Sequence, residues 1–157
     1  MLTILYFLLG TIWTDSTKSY EQLTVDHFFG TIWTQEYKEY KSIEFDFKTD
    51  TSVYIGAIYS CVKWDDKQIK DVEEIKKMIK GQTKEQLLLT RPLTKVTVRK
   101  VSNSSRLKLR IGRVIKIEDN YVVPFIVYRQ LDFVDHYFLK FDQDGHVIDK
   151  CRVNEIM

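Results

Sequence analysis

The chain has few of the residues from which metal centres and disulfide scaffolds are built. Its 157 residues include two cysteines and three histidines. The cysteines are too few for a disulfide scaffold, and neither residue type occurs at metal-ligand spacing. We therefore expect no metal and no cofactor. The sequence also lacks a glycine-rich phosphate loop and a Gly-x-Ser-x-Gly nucleophile elbow, so these two signatures of an enzyme are missing.

Proline, glycine and net charge are also scarce. Two prolines and six glycines form no linker, so the sequence indicates no internal domain boundary. The formal net charge of +2 is too small to imply a polyanionic partner by itself. With 44% hydrophobic and 29% charged residues, the composition is that of a folded soluble domain.

The chain begins with an uncharged, almost wholly apolar run at residues 1–13. This run is too short for a transmembrane helix, which takes about 20 residues, and fits the core of a secretory signal peptide. We predict a signal peptide or apolar N-terminal segment at 1–19 and a single domain at 20–157. The alternative is a buried N-terminal helix, since no Lys or Arg precedes the run. A partial repeat of 8–14 at 28–34, which aligns Gly10 with Gly30, also weakens the signal interpretation.

Five predicted strands follow one another between residues 95 and 153. Apolar and polar side chains alternate at 95–101 and at 107–117, as in strands with one buried face, and Gly112 marks a bulge. The segment 121–129 is apolar on both faces, which indicates cover on both sides. Pro124 within it requires an edge or a bulge. A hairpin at Asp144-Gly145 joins the last two strands, at 133–141 and 146–153, and the short links favour antiparallel neighbours.

The first half of the domain is predicted to combine helices with a hairpin. Six side chains could line one side of one or two short helices interrupted at Gly30, namely Tyr20, Leu23, Phe28, Trp33, Tyr37 and Tyr40. Strands at 43–47 and 53–62 form the hairpin. A capping box at Asp65 begins the main helix, whose apolar stripe runs to Ile79 and which ends at Gly81.

This order of elements resembles the NTF2-like superfamily, with a cystatin-like domain as a near neighbour. The resemblance covers about residues 20–153. It implies an α+β fold in which a curved antiparallel sheet of about five to six strands packs on one main helix, with further helical material at the N-terminus. It implies no particular activity, because members include isomerases, dehydratases, transport adaptors, secreted proteins and toxin immunity proteins.

The densest group of acid and base side chains is Asp132, Asp135, His136 and Tyr137. A strand points Asp135 and Tyr137 to one face and His136 to the other, so they do not converge locally on a substrate. We interpret them as surface and turn residues, with Asp135 and His136 as the catalytic candidates if the domain is an enzyme. The run 142–145 resembles a calcium loop, but it lacks several ligands and a hairpin turn explains it.

Nine basic residues occur between 91 and 116 with no acidic residue among them. On paired strands most of them would share one polar face, which is either a solvated surface or a binding surface for an acidic partner. The binding residues would then be Arg99, Arg106, Lys108, Arg110 and Lys116. The segment has no aromatic residue for base stacking, which disfavours single-stranded nucleic acid as the partner.

Cys61 and Cys151 are candidates for a disulfide if the protein is exported, whereas in the cytoplasm they would be free and buried. We predict a periplasmic or extracellular location, with the cytoplasm as the alternative. The leading hypothesis is a non-enzymatic exported domain, of the immunity or envelope-associated type, that binds a protein or a small ligand. The alternatives are a small enzyme with an acid or base in a pocket, and a binder of nucleic acid or another acidic partner. We expect a monomer or homodimer without a transmembrane span.

Overall fold

A computed structural model describes residues 18–53, 61, 85–100, 107–129 and 133–156. Several predictions fall outside these ranges. They are the signal peptide at 1–19, except for residues 18 and 19, and the second hairpin strand at 53–62, except for residues 53 and 61. The main helix that begins at Asp65 also lies outside them. Asp132 and Arg106 also lie outside the described residues.

The described residues form an α+β fold with a mixed sheet of seven strands. The strands are β1 (Ser42–Glu44), β2 (Thr97–Arg99), β3 (Leu107–Ile111), β4 (Ile115–Ile117), β5 (Asn120–Arg129), β6 (Phe133–Phe141) and β7 (Val147–Ile156). Their order across the sheet is β2-β1-β3-β5-β6-β7, and β4 also pairs with β5. The four strands from β4 to β7 follow one another as antiparallel neighbours, as the short links predict.

The expectation of a wholly antiparallel sheet of five to six strands is wrong. The sheet has one strand more, and β1 pairs in parallel with both β2 and β3. The physical reason is the long connection between β1 and β2, which gives the chain room for a crossover. The described neighbours of β1 are therefore strands from the second half of the chain rather than a hairpin partner.

The predicted strand at 107–117 is divided into β3 and β4 at Gly112, opposite Pro124 of β5. Gly112 N donates to Pro124 O at 2.8 Å. In an antiparallel sheet the backbone N and O atoms of one residue point towards the same neighbouring strand. The position where Pro124 has no N–H therefore faces the break between β3 and β4. The pairing with β5 is interrupted where Pro124 has no N–H to donate, between the pairs Ile111–Phe125 and Ile115–Val122.

Replacing Gly112 with alanine is expected to lower the free energy of unfolding by about 1–3 kcal/mol. A Cβ at this position would lie 2.8 Å from the ring carbon Cγ of Pro124, which cannot rotate away, and 3.2 Å from Val53 Cβ. Urea unfolding measures the loss. Gly30→Ala is the matched control, because no atom lies within 4 Å of its Cβ position and alanine is the better helix former by about 1 kcal/mol. Similar losses in both variants would contradict the packing described at Gly112.

One continuous helix of 17 residues precedes the sheet. It consists of α1 (Tyr20–His27), a π-helical turn (Phe28–Ile32) and α2 (Trp33–Glu36). Ser19 caps it by accepting a hydrogen bond from Gln22 N at 3.2 Å. The helix is not interrupted at Gly30, as the sequence analysis expected, but widens there into the π-helical turn.

The helix contacts one face of the sheet, here called the inner face. The ring of Phe28 packs edge-on against that of Phe125 on β5, with 5.7 Å between centroids. The buried inner-face cluster joins helix and sheet residues, among them Phe29, Ile32, Trp33, Leu107, Leu109, Val123, Val127 and Leu139. The prediction that aromatic side chains line one side of this helix is confirmed.

The opposite, outer face of β5 and β6 is also buried, as the apolar segment 121–129 predicts. Ile126 and Val134 pack together with Val53 on this face. Cys61 and Cys151 form a disulfide there, with 5.9 Å between their Cα atoms, so the predicted pairing is confirmed. Among the described residues, the structure contains no helix with the length and apolar character needed to cross a bilayer.

Candidate functional site

Four polar side chains, here called the internal cluster, lie between the helix and the sheet. They are Glu36, Tyr37, Asp135 and Tyr137. The hydroxyl of Tyr37 donates to Asp135 Oδ2 at 2.6 Å, and that of Tyr137 donates to Glu36 Oε2 at 2.5 Å. Tyr37, Asp135 and Tyr137 are at most 1% exposed. The alternation of β6 places Asp135 and Tyr137 on the inner face, where the end of the helix meets them.

Three basic side chains of the sheet surround the two carboxylates. Arg129 Nη2 donates to Asp135 Oδ1 at 2.9 Å, and Arg129 Nε lies 2.7 Å from Oδ2 in an ionic contact. Arg152 bridges the two acids, at 3.1 Å from Asp135 Oδ1 and 2.7 Å from Glu36 Oε2. Lys150 Nζ lies 2.7 Å from Glu36 Oε1. Each carboxylate therefore faces two cations, which offsets the cost of removing its charge from water.

The two tyrosines of the internal cluster supply one hydroxyl hydrogen each. Both hydrogens are donated to carboxylates. While both acids are ionised, the two hydroxyl oxygens therefore lie 2.8 Å apart without a hydrogen bond between them. Burial and the bond to Asp135 raise the pKa of Tyr37, and burial and the bond to Glu36 raise the pKa of Tyr137. Near neutral pH both hydroxyls therefore stay protonated as donors to the carboxylates.

Acidification is expected to destabilise the protein through Glu36. Burial raises the pKa of Glu36, but hydrogen bonds from Lys150 and Tyr137 and the charges of Lys150 and Arg152 together hold it below its ordinary value. Folding therefore favours the ionised form. Its contribution is complete above the unfolded-state pKa of about 4.3 and is lost as the pH falls through the lower folded-state pKa.

The free energy of unfolding, measured from about pH 6 to pH 3, should fall more steeply for the wild-type protein than for Glu36→Gln. The substitution keeps the size of the side chain and removes its titration. Equal slopes for the two proteins would mean that folding does not shift the pKa of Glu36.

The structure places Asp135 and His136 on opposite faces of the sheet, as the strand alternation predicts, but both are buried. Their interpretation as surface residues is wrong, since Asp135 is 0% and His136 is 4% exposed. His136 Nε2 lies 2.9 Å from Glu155 Oε2 on β7. Its Nδ1 has no hydrogen-bond partner in the part of the chain that is described. Sequence analysis did not connect Tyr37 with Asp135, because the two residues are 98 positions apart in the chain.

The predicted basic face is partly neutralised by acids from a different part of the chain. Lys108 Nζ lies 3.4 Å from Glu44 Oε1, and Arg110 Nη1 lies 3.3 Å from Asp50 Oδ2. Two further predicted binding residues, Arg99 and Lys116, are exposed on β2 and β4. The surface is therefore mixed in charge at its centre, where β3 meets the chain that follows β1.

A cleft of about 170 Å³ opens beside β3 at this point. It forms because the chain after Glu44 leaves the line of β1, with Phe47 in the left-handed region at φ 53°, and returns to β3 only at Thr49, which bridges to Ile111. Four residues, 45–48, lie opposite only two residues of β3, 109–110. They cannot all pair with β3, so the two backbones separate here.

The walls of this cleft carry equal numbers of acidic and basic side chains. The acids are Glu44, Asp46 and Asp50, and the bases are Lys48, Lys100 and Arg110; Phe45, Thr49, Gln86 and Leu109 complete the lining. Lys48 Nζ lies 2.9 Å from Asp46 Oδ2 at the rim, where both side chains are about two-fifths exposed. Sequence analysis found Arg110 as a binding candidate but not the acids, because no local pattern marks residues 44–50 as its neighbours.

The hairpin at 142–146 brings together three groups that could hold a cation, Asp142, Asp144 and His146. Asp142 Oδ1 already accepts hydrogen bonds from the backbone N of Asp144 at 3.0 Å and of His146 at 2.8 Å. Gly145 adopts φ +84°, as the predicted tight turn requires. These contacts are those of a hairpin turn, in agreement with the interpretation of this run in the sequence analysis.

The two groups of charges differ in what they can do chemically. In the internal cluster Asp135 is fully buried, and the carboxylates of Asp135 and Glu36 are already bonded to protein donors. In the cleft the cations Lys48 and Arg110 are partly exposed at its rim. The cleft therefore leaves its cations more exposed to a ligand than the internal cluster leaves Asp135.

Comparison with known proteins finds no matching protein-family model, no matching curated protein and no matching solved structure. The NTF2-like resemblance stays a prediction.

Proposed function

We propose that this protein is a non-enzymatic exported domain whose charged cleft binds a small ligand or a segment of a partner protein. One observation carries the proposal. In the internal cluster Asp135 is fully buried and both carboxylates are bonded to protein donors, while the cleft beside β3 is open and lined by six charged side chains. Binding in a cleft depends on a few polar groups of this kind that fix the orientation of a ligand.

The disulfide supports the location in this proposal. Bonds such as Cys61–Cys151 persist in the periplasm and outside the cell, and they are rare in the reducing cytoplasm. The apolar run at residues 1–13 agrees with export through a secretory signal. An immunity-type or envelope-associated binder of the predicted NTF2-like class fits both features.

Binding of nucleic acid through the predicted basic face is less well supported. Affinity for a polyanion depends on cations that are free to neutralise phosphates. Lys108 and Arg110, at the centre of the face, lie against Glu44 and Asp50 instead. These acids would repel a phosphate backbone.

Chemical-shift mapping of the folded protein tests the proposal. Amino acids with short peptides, organic acids, sugars and nucleotides are added at millimolar concentration, one class at a time. We expect at least one class to move the backbone amide signals of Asp46, Lys48 and Arg110 in a saturable way and to be recovered unchanged. Lys116→Gln, on β4 and outside the cleft lining, should respond like the wild-type protein.

Two results would overturn the proposal. If no class moves the cleft signals, the cleft is not a binding site. If saturable shifts centre on Asp135 and Tyr137 and the added compound is converted, the protein is an enzyme that uses the internal cluster.

A further inference from the structure

We propose that residues 88–99, here called the leucine segment, dock the protein on the surface of an anionic lipid bilayer. Leu88 and Leu93 would enter the bilayer, and the basic side chains beside them would contact the lipid headgroups. This inference goes beyond the proposed function, because none of these residues lines the cleft.

The two leucines are the most exposed large apolar side chains in the described part of the chain. Leu88 is 83% and Leu93 is 105% exposed, whereas Ile148 and Phe133 are 50% and 44% exposed. A single exposed leucine is ordinary on a soluble protein. Two that stand clear of the surface within one short segment are a feature that a binding partner would explain.

The backbone of the segment is fixed, so the leucines are held towards solvent. Thr90 N donates to Gln22 Oε1 on the helix at 2.7 Å, and Thr90 O accepts from Gln22 Nε2 at 3.3 Å. Leu89 N donates to Phe47 O at 2.7 Å. The side chains of Leu89 and Pro92 are buried beside these contacts. The segment therefore presents its exposed side chains in one arrangement before any partner binds, which lowers the entropic cost of docking.

Exposed cations accompany the leucines. Arg91, Lys95 and Arg99 are exposed, and none of them forms an ion pair with another described residue. Residues 86–100 include no acid, whereas Lys108 and Arg110, at the centre of the basic face, are each paired with one. A cation near an anionic bilayer strengthens binding by about fivefold. The leucine segment thus keeps the positive charge that the centre of the face has lost.

The shape of the segment favours a bilayer over a protein partner. Leu93 is as exposed as in an isolated peptide, so no wall of the described structure stands beside it. A protein interface gathers its apolar side chains into one packed core with a polar rim, whereas here apolar and basic side chains are interspersed along the chain. A bilayer accepts separate apolar side chains between its headgroups, and anionic headgroups attract the cations that flank them.

Flotation with lipid vesicles tests the proposal. The folded protein is mixed with vesicles of phosphatidylcholine alone, or of phosphatidylcholine with phosphatidylglycerol. We expect binding to the anionic vesicles to be at least about tenfold tighter than to the neutral ones. Binding should weaken as the salt concentration is raised, because salt screens exposed charges.

Replacing the leucines tests the apolar contact. Leu88→Ser/Leu93→Ser should weaken binding to the anionic vesicles about tenfold or more, because it removes the apolar area that enters the bilayer. Ile148→Ser, which removes an exposed apolar side chain from β7, should bind as the wild-type protein does.

Replacing the cations tests the headgroup contact. Arg91→Gln/Lys95→Gln should weaken binding about 25-fold, from about fivefold for each cation. Lys116→Glu on β4 lowers the net charge of the protein by the same amount and should have little effect. All these variants replace exposed side chains and should unfold at the urea concentration of the wild-type protein, so that a loss of binding is not a loss of folding.

Three results would overturn the proposal. The first is no binding to anionic vesicles. The second is binding that both double variants leave unchanged; since all the proteins share residues 1–17, the membrane contact would then lie elsewhere in the chain. The third is binding of soluble polyglutamate, weakened by both double variants, without binding of vesicles, which would make the partner an acidic protein. Ligand binding in the cleft stands in each case, because no substituted residue lines it.

Discussion

Replacing Asp135 with alanine is expected to lower the free energy of unfolding by about 3–5 kcal/mol, which is the cost of leaving buried charges without their partner. The carboxylate is fully buried and is contacted by Tyr37, Arg129 and Arg152 at 2.6–3.1 Å. Alanine would remove the ionic partner of Arg129, one of the two acids that Arg152 bridges and the acceptor of the buried Tyr37 hydroxyl, and would open a cavity. Urea unfolding of the purified variant measures the loss.

Two control variants make the result specific to the internal cluster. Asp149→Ala removes an exposed aspartate from β7 and should change the free energy of unfolding by less than about 0.5 kcal/mol. Asp135→Asn keeps the shape and one acceptor oxygen, so its loss should lie between those of the two alanine variants. An Asp135→Ala protein as stable as Asp149→Ala would show that the buried ion pairs do not hold the sheet and helix together.

Removing the disulfide is the second change with a large expected effect. Its two cysteines are 90 residues apart, and closing a loop of that length stabilises the folded state by about 4–5 kcal/mol in the entropic model. The variant Cys61→Ala/Cys151→Ala should therefore unfold at a lower temperature by about 8–20 °C, given about 2–4 °C per kcal/mol for a chain of this size. Differential scanning calorimetry gives the midpoint.

Reductant provides the control for the disulfide. It should lower the midpoint of the wild-type protein towards that of the double variant and should leave the double variant unchanged. A wild-type midpoint that does not respond to a reductant shown by mass to open the bond would contradict the expected stabilisation, and a protein purified from an oxidising compartment with two free thiols would contradict the bond itself.

The strands of the second half were predictable because their signals are local. Alternation fixes which side chains of β3 and β6 face inward, and Gly112 and Pro124 mark the interruption before any pairing is known. The aromatic spacing predicted helical structure after Tyr20, but not that one helix continues through Gly30 to Glu36. The parallel pairing of β1 was not, because a three-residue strand with a long connection leaves its neighbours undetermined.

The candidate site was predictable only in part, and for the same reason. Arg110 and Lys108 stand out in a basic run, and the burial pattern of β3 puts both on one side. Their acidic neighbours come from residues 44–50, and the cleft exists because Phe47 turns the chain away from β1. Likewise, the sequence places Asp135 and Tyr137 on one face but gives no sign that Tyr37 reaches them, because contacts of long sequence separation have no local pattern.

The central claim is that the tyrosine hydroxyls of the internal cluster are buried and bonded within the protein, and that exchangeable chemistry lies in the cleft. Detection of the hydroxyl protons of Tyr37 and Tyr137 by NMR at neutral pH tests it most directly. Both hydroxyls belong to buried tyrosines and donate to carboxylates, so we predict two separate signals that exchange slowly with water and do not move when a ligand occupies the cleft. Hydroxyls that exchange too fast to observe, or that shift on ligand addition while the Arg110 amide does not, would contradict the account and would make the internal cluster the functional site.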